Sequence, residues 1–333
     1  MNKMFLDSYA YDFRDGLIAQ RLASPRDTCR LLVLDDDIMH GTFRGIIDYL
    51  EPGDVLVLND TKVTYSKLVG KKESGSPAEV ILLKKISDKI YEAKIKTRNP
   101  HTETRIICKN GRILIKKQIN IDTFAIELSD DKILEGAILP TPPYIKRKLD
   151  DKEYQTEFSK REGSLAAPTA GLHFTKRLLK KISDKGVKIA CITLHVSYGT
   201  FKKIDDIKSY IMDPEYYDIS KDAADIINNR IGRLVVCGTT TLKALETSSK
   251  SGKIIPGKGA SRLFIYPPYK FRSGTDILIT NFHLPKSTLL LMTCAFGGKK
   301  KVLDAYDVAI KKGYRLFSLG DAMMISRPKA IYR

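Results

Sequence analysis

From residue 61 to residue 147 the chain runs through one strand-length segment after another with almost no helical periodicity. On both sides of that stretch the rhythm is short apolar run, helix, short apolar run. The segments "AEVILLKKI", "IYEAKIKT", "TRIICKN", "RILIKKQ" and "TFAIELS" alternate in the period of a half-buried strand and are separated by turn clusters such as "DDKILEG". A run of this kind predicts a small antiparallel barrel or sandwich. Before it, "LLVL" and "VLVL" flank "GTFRGIIDYLEPGD", which reads as strand, a short helix closed by Pro52–Gly53, and strand. After "LPTPPYIKRK" the α/β texture resumes. "TKRLLKKISDKG" reads as an amphipathic helix ended by Gly186, "VKIACITLHVS" as a strand, "KDAADIINNRIG" as a helix ended by a glycine, and "RLVVCGTTTLKALETSSK" as strand, turn and helix. The expected fold class is therefore a discontinuous α/β domain, residues 1–60 and 148–333, interrupted by an all-β, barrel-like domain at 61–147.

Length and composition agree with two folded domains, since 333 residues exceed one ordinary core and 43% are hydrophobic. The formal net charge of +18 favours an anionic partner, nucleic acid before a membrane surface, although runs such as Lys299–Lys301 also serve simply as solvated surface. Five cysteines lie far apart, with no CxxC pair and no histidine at ligand spacing, and we read them as reduced and without metal. No signal-like segment opens the chain, and the apolar run "STLLLMTCAFGG" is too short to span a bilayer. A cytoplasmic monomer without membrane contact is expected.

Residues 252–258 have the GxxxxGK spacing of a phosphate-cradling loop, but Gly259 stands where a serine or threonine should hold magnesium, and Pro256 interrupts the loop. We read a surface loop there. Three of the five histidines, His173, His195 and His283, share a setting: apolar flanks followed closely by Thr, Ser, Gly or Lys. A lone histidine of this kind is usually a hydrogen-bonded core residue; three at strand ends that converge would line a ligand crevice. "GTTTLKALE" puts Gly238 and three threonines where a strand meets a helix, suited either to capping or to a polar ligand. "MDPEYYDIS" offers Glu215 and Tyr216 for a ribose or a stacked base, or is an ordinary loop before a helix.

At these same stretches, "PPYIKR", "YQTEFSKREGSLAAPTAGLHFT", "TLHVSYGTF", "EYYDIS", "GTTTLKALE", "FIYPPYKF", "LITNFHLPKSTLLLM", "AFGG" and "GDAMMI" follow one another as they do in the S-adenosylmethionine:tRNA ribosyltransferase-isomerase family, which the chain resembles from about residue 10 to 326. The resemblance implies an enzyme of queuosine biosynthesis. Such an enzyme moves the ribosyl portion of S-adenosylmethionine, a cosubstrate rather than a bound cofactor, onto 7-aminomethyl-7-deazaguanine at the wobble position of tRNA, releasing adenine and methionine. It implies proton-transfer roles for His173 and His195 with His283 third, and substrate contacts from Thr169, Gly171, Thr200, Glu215, Tyr216, Thr239, Thr240 and Lys286, with no metal. The small residues around Gly171 would let backbone approach the nucleoside. Lys71 and Lys72 would hold tRNA phosphates. Tyr198 stands where the family usually has a small residue. An S-adenosylmethionine-dependent RNA methyltransferase and a non-catalytic tRNA-binding paralogue are the alternatives, the former disfavoured because no Gly-rich nucleotide loop is present.

Overall fold

A computed structural model describes residues 2–197, Gly199, Ile204 and 206–328. By internal contacts the chain separates into two compact units. One comprises the residues up to Lys62, Pro142–Arg147 and those from Lys152 onwards; the other comprises Val63–Thr141 and Lys148–Asp151.

The first unit is built on nine strands: β1 (Arg30–Leu34), β2 (Ile38–Thr42), β3 (Val55–Asn59), β4 (Lys188–Leu194), β5 (Glu215–Ile219), β6 (Leu234–Cys237), β7 (Gly257–Ser261), β8 (Ile277–Asn281) and β9 (Ala322–Ser326). They lie in the order β7-β5-β4-β3-β6-β8-β9-β1-β2. The central pairs β4/β3, β3/β6 and β6/β8 are parallel, as is β9/β1, while β8/β9, β1/β2, β4/β5 and β5/β7 are antiparallel. The fold is thus a mixed α/β sheet assembled from discontinuous segments.

The apolar runs are continuous rather than alternating because both faces of the central strands are covered. Val55 and Val57 of β3 join Ile227, Leu242 and Leu245 on one face, whereas Leu56 and Leu58 join Phe43, Phe174, Leu178 and Ile182 on the other. The helix Thr288–Gly297 is buried at every position except Leu289, which accounts for its apolar circumference. Among the described residues no helix is long and apolar enough to cross a membrane.

In the second unit, strands Lys67–Lys72, Pro77–Ser87, Ile90–Lys96, Arg105–Cys108, Gly111–Gln118 and Thr123–Leu128 close into an inserted six-stranded antiparallel barrel around Val80, Ala93, Ile106, Ile113, Phe124 and Ile126. Five of these strands are legible in the sequence. The sixth, "KLVGKK", is masked by Gly70 and its two terminal lysines. Gly70 sits opposite Cys108, where a Cβ would lie 2.3 Å from the Ile107 carbonyl oxygen, so the seam admits only glycine.

Several local expectations are corrected. "GTFRGIIDYLEPGD", read as a short helix between strands, contains the end of an edge strand followed by a 3-10 helix, Phe43–Tyr49. The helix read to end at a glycine stops at Asn228, with Asn229 closing it. "EYYDIS" is not a loop but strand β5, and the GxxxxGK stretch leads into the edge strand β7.

Candidate active site

The connection leaving β3 leads to β4 on one side, while the connection leaving β6 leads to β8 on the other. Neighbouring strands whose connections diverge leave a crevice at their carboxyl ends, the usual ligand position in open α/β sheets. Asn59, at the end of β3, ties this strand end to that of β4. Its Nδ2 donates to the Leu194 carbonyl at 2.9 Å, and its Oδ1 accepts from the Leu194 and Thr61 amides.

The crevice is lined by Ala166–Ala170, Val196, Gly238–Thr240, Thr280–Leu284, Ser287, Tyr144, Phe317 and Ser318. Gly238 turns out of β6 at φ +92°, a conformation that favours glycine, and places the first residues of the helix Thr239–Ser248 at the crevice. Ser287 caps the helix Thr288–Gly297, accepting from the Leu290 amide at 3.2 Å. A smaller neighbouring cavity shares Thr239, Thr240 and Leu289 and reaches the buried ion pair Glu215–Lys243, whose charged atoms are 2.8 Å apart.

Of the three histidines only His283 lines the crevice. Its Nε2 lies 2.8 Å from Thr280 Oγ1, and burial pushes its pKa down to about 3, so the ring is neutral near pH 7. His173 stands behind the crevice wall. Its Nδ1 is 3.1 Å from Cys29 Sγ and its Nε2 3.1 Å from Asn281 Nδ2, and burial lowers its pKa to about 4. His195 follows β4 on the opposite side from Val196 and lines a separate open groove with Arg161, Tyr216, Tyr217, Asp218 and Lys258. Its Nδ1 lies 2.8 Å from Thr61 Oγ1, and its pKa is lowered, chiefly by burial.

The other expected contacts divide similarly. Thr169, Thr239 and Thr240 line the crevice, Glu215 lines the neighbouring cavity, and Tyr216 lies in the groove with its ring largely exposed. Gly171 faces protein: a Cβ there would come within 2.8 Å of Phe158 and 3.0 Å of Thr156, so its small size serves packing. Lys286 lines neither cavity and pairs with Asp7 at 2.6 Å. Lys71 is exposed on the barrel, and Lys72 donates to the Arg98 and Asn99 carbonyls. Thr200 and Tyr198 lie outside the described residues. Among the described residues no group of three or more His, Cys, Asp and Glu side chains could hold a metal ion.

Pattern reading missed the crevice residues Asn281, Tyr144, Phe317 and Ser318. Asn281 could have been found in "TNFH" by its place at the end of an apolar run; the other three had no such signal. Tyr144 OH is 2.5 Å from Ser318 Oγ, and the Tyr144 and Phe317 ring centroids are 5.2 Å apart. Phe317 has φ +69°, a strained conformation for a bulky residue. The buried Asp321 carboxylate holds this turn by accepting from the backbone amides of Arg30 (3.0 Å) and Arg315 (2.8 Å) and from both guanidinium groups. Asp321→Ala should therefore cost about 3 kcal/mol or more in urea unfolding, because two backbone donors lose their buried partner. A loss under about 1 kcal/mol would show that the turn does not depend on it.

A water-facing crevice at a topological switch point, lined by hydroxyls, an amide and a neutral imidazole and walled by aromatic rings, defines a small-molecule site of the open α/β class. The model of the family described as "Queuosine biosynthesis protein" matches residues 6–325. The S-adenosylmethionine:tRNA ribosyltransferase-isomerase of Sulfurihydrogenibium sp. (strain YO3AOP1) is 46% identical over 345 residues, covering 97% of this chain and all of that protein. That of Thermosipho africanus (strain TCF52B) is 44% identical over 335 residues, with the same coverage. The crystal structure of S-adenosylmethionine tRNA ribosyltransferase from Thermotoga maritima, at 2.00 Å resolution, matches with a TM-score of 0.55 and 32% identity, covering 96% of this chain and 99% of that one. The chain belongs to the queuosine biosynthesis family of S-adenosylmethionine:tRNA ribosyltransferase-isomerases.

Proposed function

We propose that this chain is an S-adenosylmethionine:tRNA ribosyltransferase-isomerase of queuosine biosynthesis that binds S-adenosylmethionine in the crevice. There it passes the ribosyl portion to the aminomethyl group of 7-aminomethyl-7-deazaguanine in the tRNA anticodon loop. The observation that carries the reading is the coincidence of fold and relatives: the crevice at the carboxyl ends of β6 and β8 is built from "LAAPTA", "GTTT" and "TNFHL", within a chain that matches these enzymes along nearly its whole length.

The reaction requires a neutral attacking amine, hydrogen bonding or protonation of adenine as it leaves, a base for the acidic hydrogens beside the sulfonium, and departure of methionine. His283, neutral at working pH, serves adenine or sugar by hydrogen bonding rather than by carrying a proton. His195 lines the open groove and not the crevice, so it meets the bound RNA rather than the sulfonium or the departing adenine. That groove, with the exposed Tyr216 ring beside Arg161 and Lys258, suits a splayed nucleotide of an RNA loop, where aromatic stacking and phosphate contacts act together. Lys71 and Lys72, on the barrel, hold tRNA phosphates.

The test is incubation of the protein with labelled S-adenosylmethionine and tRNA bearing the deazaguanine, followed by identification of the released product. Free adenine is expected. Release of S-adenosylhomocysteine would identify a methyltransferase instead, and absence of any product a binding protein.

A further inference from the structure

Four side chains run in a line from the core to the crevice. Thr169 Oγ1 donates to Asn281 Oδ1 at 2.9 Å, Asn281 Nδ2 meets His173 Nε2 at 3.1 Å, and His173 Nδ1 meets Cys29 Sγ at 3.1 Å. With the Asn281 amide oriented as it stands, Oδ1 toward Thr169 and Nδ2 toward His173, the remaining directions follow from hydrogen-bonding capacity. An amide nitrogen only donates, so Nε2 of His173 must accept and carries no proton. The ring proton then sits on Nδ1 and points at the Cys29 sulfur. An amide oxygen only accepts, so the Thr169 hydroxyl proton is committed to Asn281, and what Thr169 presents to the crevice is lone pairs. The ring is further fixed by Phe43, whose centroid is 5.0 Å away, and it is 1% exposed, too enclosed to meet a substrate.

We propose that His173 is a positioning residue which, through Asn281, holds Thr169 as a hydrogen-bond acceptor for an N–H donor in the crevice. Resting on the reading above, the donor is the attacking primary amine. An acceptor bound to one amine hydrogen leaves the nitrogen lone pair free to face the sugar carbon, and it favours the substrate that brings the amine over one that lacks it. Burial is consistent with this assignment, because a ring that resists protonation keeps the chain of donors pointing one way.

Two measurements test it. Long-range proton–nitrogen correlation spectra of the histidine-labelled protein should show His173 as the neutral Nδ1–H form from pH 8 to 5; the Nε2–H form or an imidazolium at pH 7 overturns the proposal, whatever the activity. In adenine-release kinetics, Thr169→Ser should stay within about threefold of the parent. Thr169→Val and Asn281→Leu, which removes the acceptor of the Thr169 proton, should lower kcat/KM for the aminomethyl-bearing tRNA at least tenfold, with KM for S-adenosylmethionine within twofold. His173→Gln, whose amide oxygen can still accept from Asn281, should retain more activity than His173→Leu and keep the acid limb of the parent pH profile. Loss of that limb would show that His173 transfers a proton and would overturn the proposal, as would a fully active Thr169→Val. If the parent releases no adenine, the underlying reaction is wrong and the amine assignment falls with it, a result distinct from any pattern among the variants.

Discussion

Between pH 6.5 and 4.5 the folded protein is expected to lose roughly 5 kcal/mol of stability to two histidines, a large share of what a folded chain ordinarily possesses. His173 and His283 are held neutral by burial, with pKa values near 4 and 3, whereas in the unfolded chain both take up protons near the ordinary value of 6.5. Above pH 7 neither state binds these protons, and stability does not depend on them. As the pH falls through 6.5 the unfolded state gains two protons that the native state refuses, and each pH unit shifts the balance toward unfolding by roughly 3 kcal/mol for the pair. His195, half-buried, adds in the same direction. Asp54, whose burial is outweighed by hydrogen bonds from Arg233 and the Glu51 amide, is held below the ordinary carboxylate value in the native state and so acts only in more acidic solution. Urea titrations at pH 7.5, 6.5, 5.5 and 4.5 read the slope, and His173→Gln and His283→Gln should each reduce it by about half. A flat profile across this range would mean that the two rings accept protons in the native protein.

Binding to tRNA should weaken about tenfold to thousandfold between low and physiological salt, since each phosphate neutralised by a lysine or arginine releases condensed counterions. The formal charge of +18 supplies the cations. S-adenosylmethionine, which we propose binds in the crevice, should respond little because that crevice is lined mainly by neutral groups, which provides an internal control. Lys71 is exposed on the barrel strand Lys67–Lys72, while Lys72 is partly spent on the Arg98 and Asn99 carbonyls. Replacing both by glutamate should flatten the salt slope for tRNA and leave cosubstrate affinity unchanged, with Lys71 accounting for most of the effect. An unaltered slope would move the phosphate contacts off this strand; a flat slope in the parent would mean that the basic composition has no part in RNA binding.

The three histidines that stand out in the sequence do not act as one group. His283 faces the crevice, His195 faces a groove on the other side of the same strand end as Val196, and His173 faces the protein. A substrate whose cosubstrate occupies the crevice and whose RNA lies along the groove would meet His283 and His195 from two directions. Tyr216, singled out in "MDPEYYDIS", lies on β5 with its ring exposed in the groove that Arg161 and Lys258 also line.

Local chemistry alone determined much of this protein. The unbroken apolar runs at 31–34 and 55–58 required strands covered on both faces, the alternation at 78–129 required a sheet with one buried face, and the long motifs from "PPYIKR" to "GDAMMI" carried the family. Strand order was undetermined by those signals, because a strand's residues record how it is buried and not which strand lies beside it. Separating β1 from β3 by three strands, and closing the barrel through Gly70, depended on contacts between residues distant in the chain. The same limit governed the site. Alternation along β4 and its extension decided that Val196 would meet the crevice and His195 the groove, and the meeting of 169, 173 and 281 with Cys29 turned a conspicuous histidine into a partner of an asparagine that had drawn no notice. Hydrogen-bond partners, and with them the protonation state of a buried ring, are properties of the assembled core, where residues separated by more than a hundred positions meet as donors and acceptors.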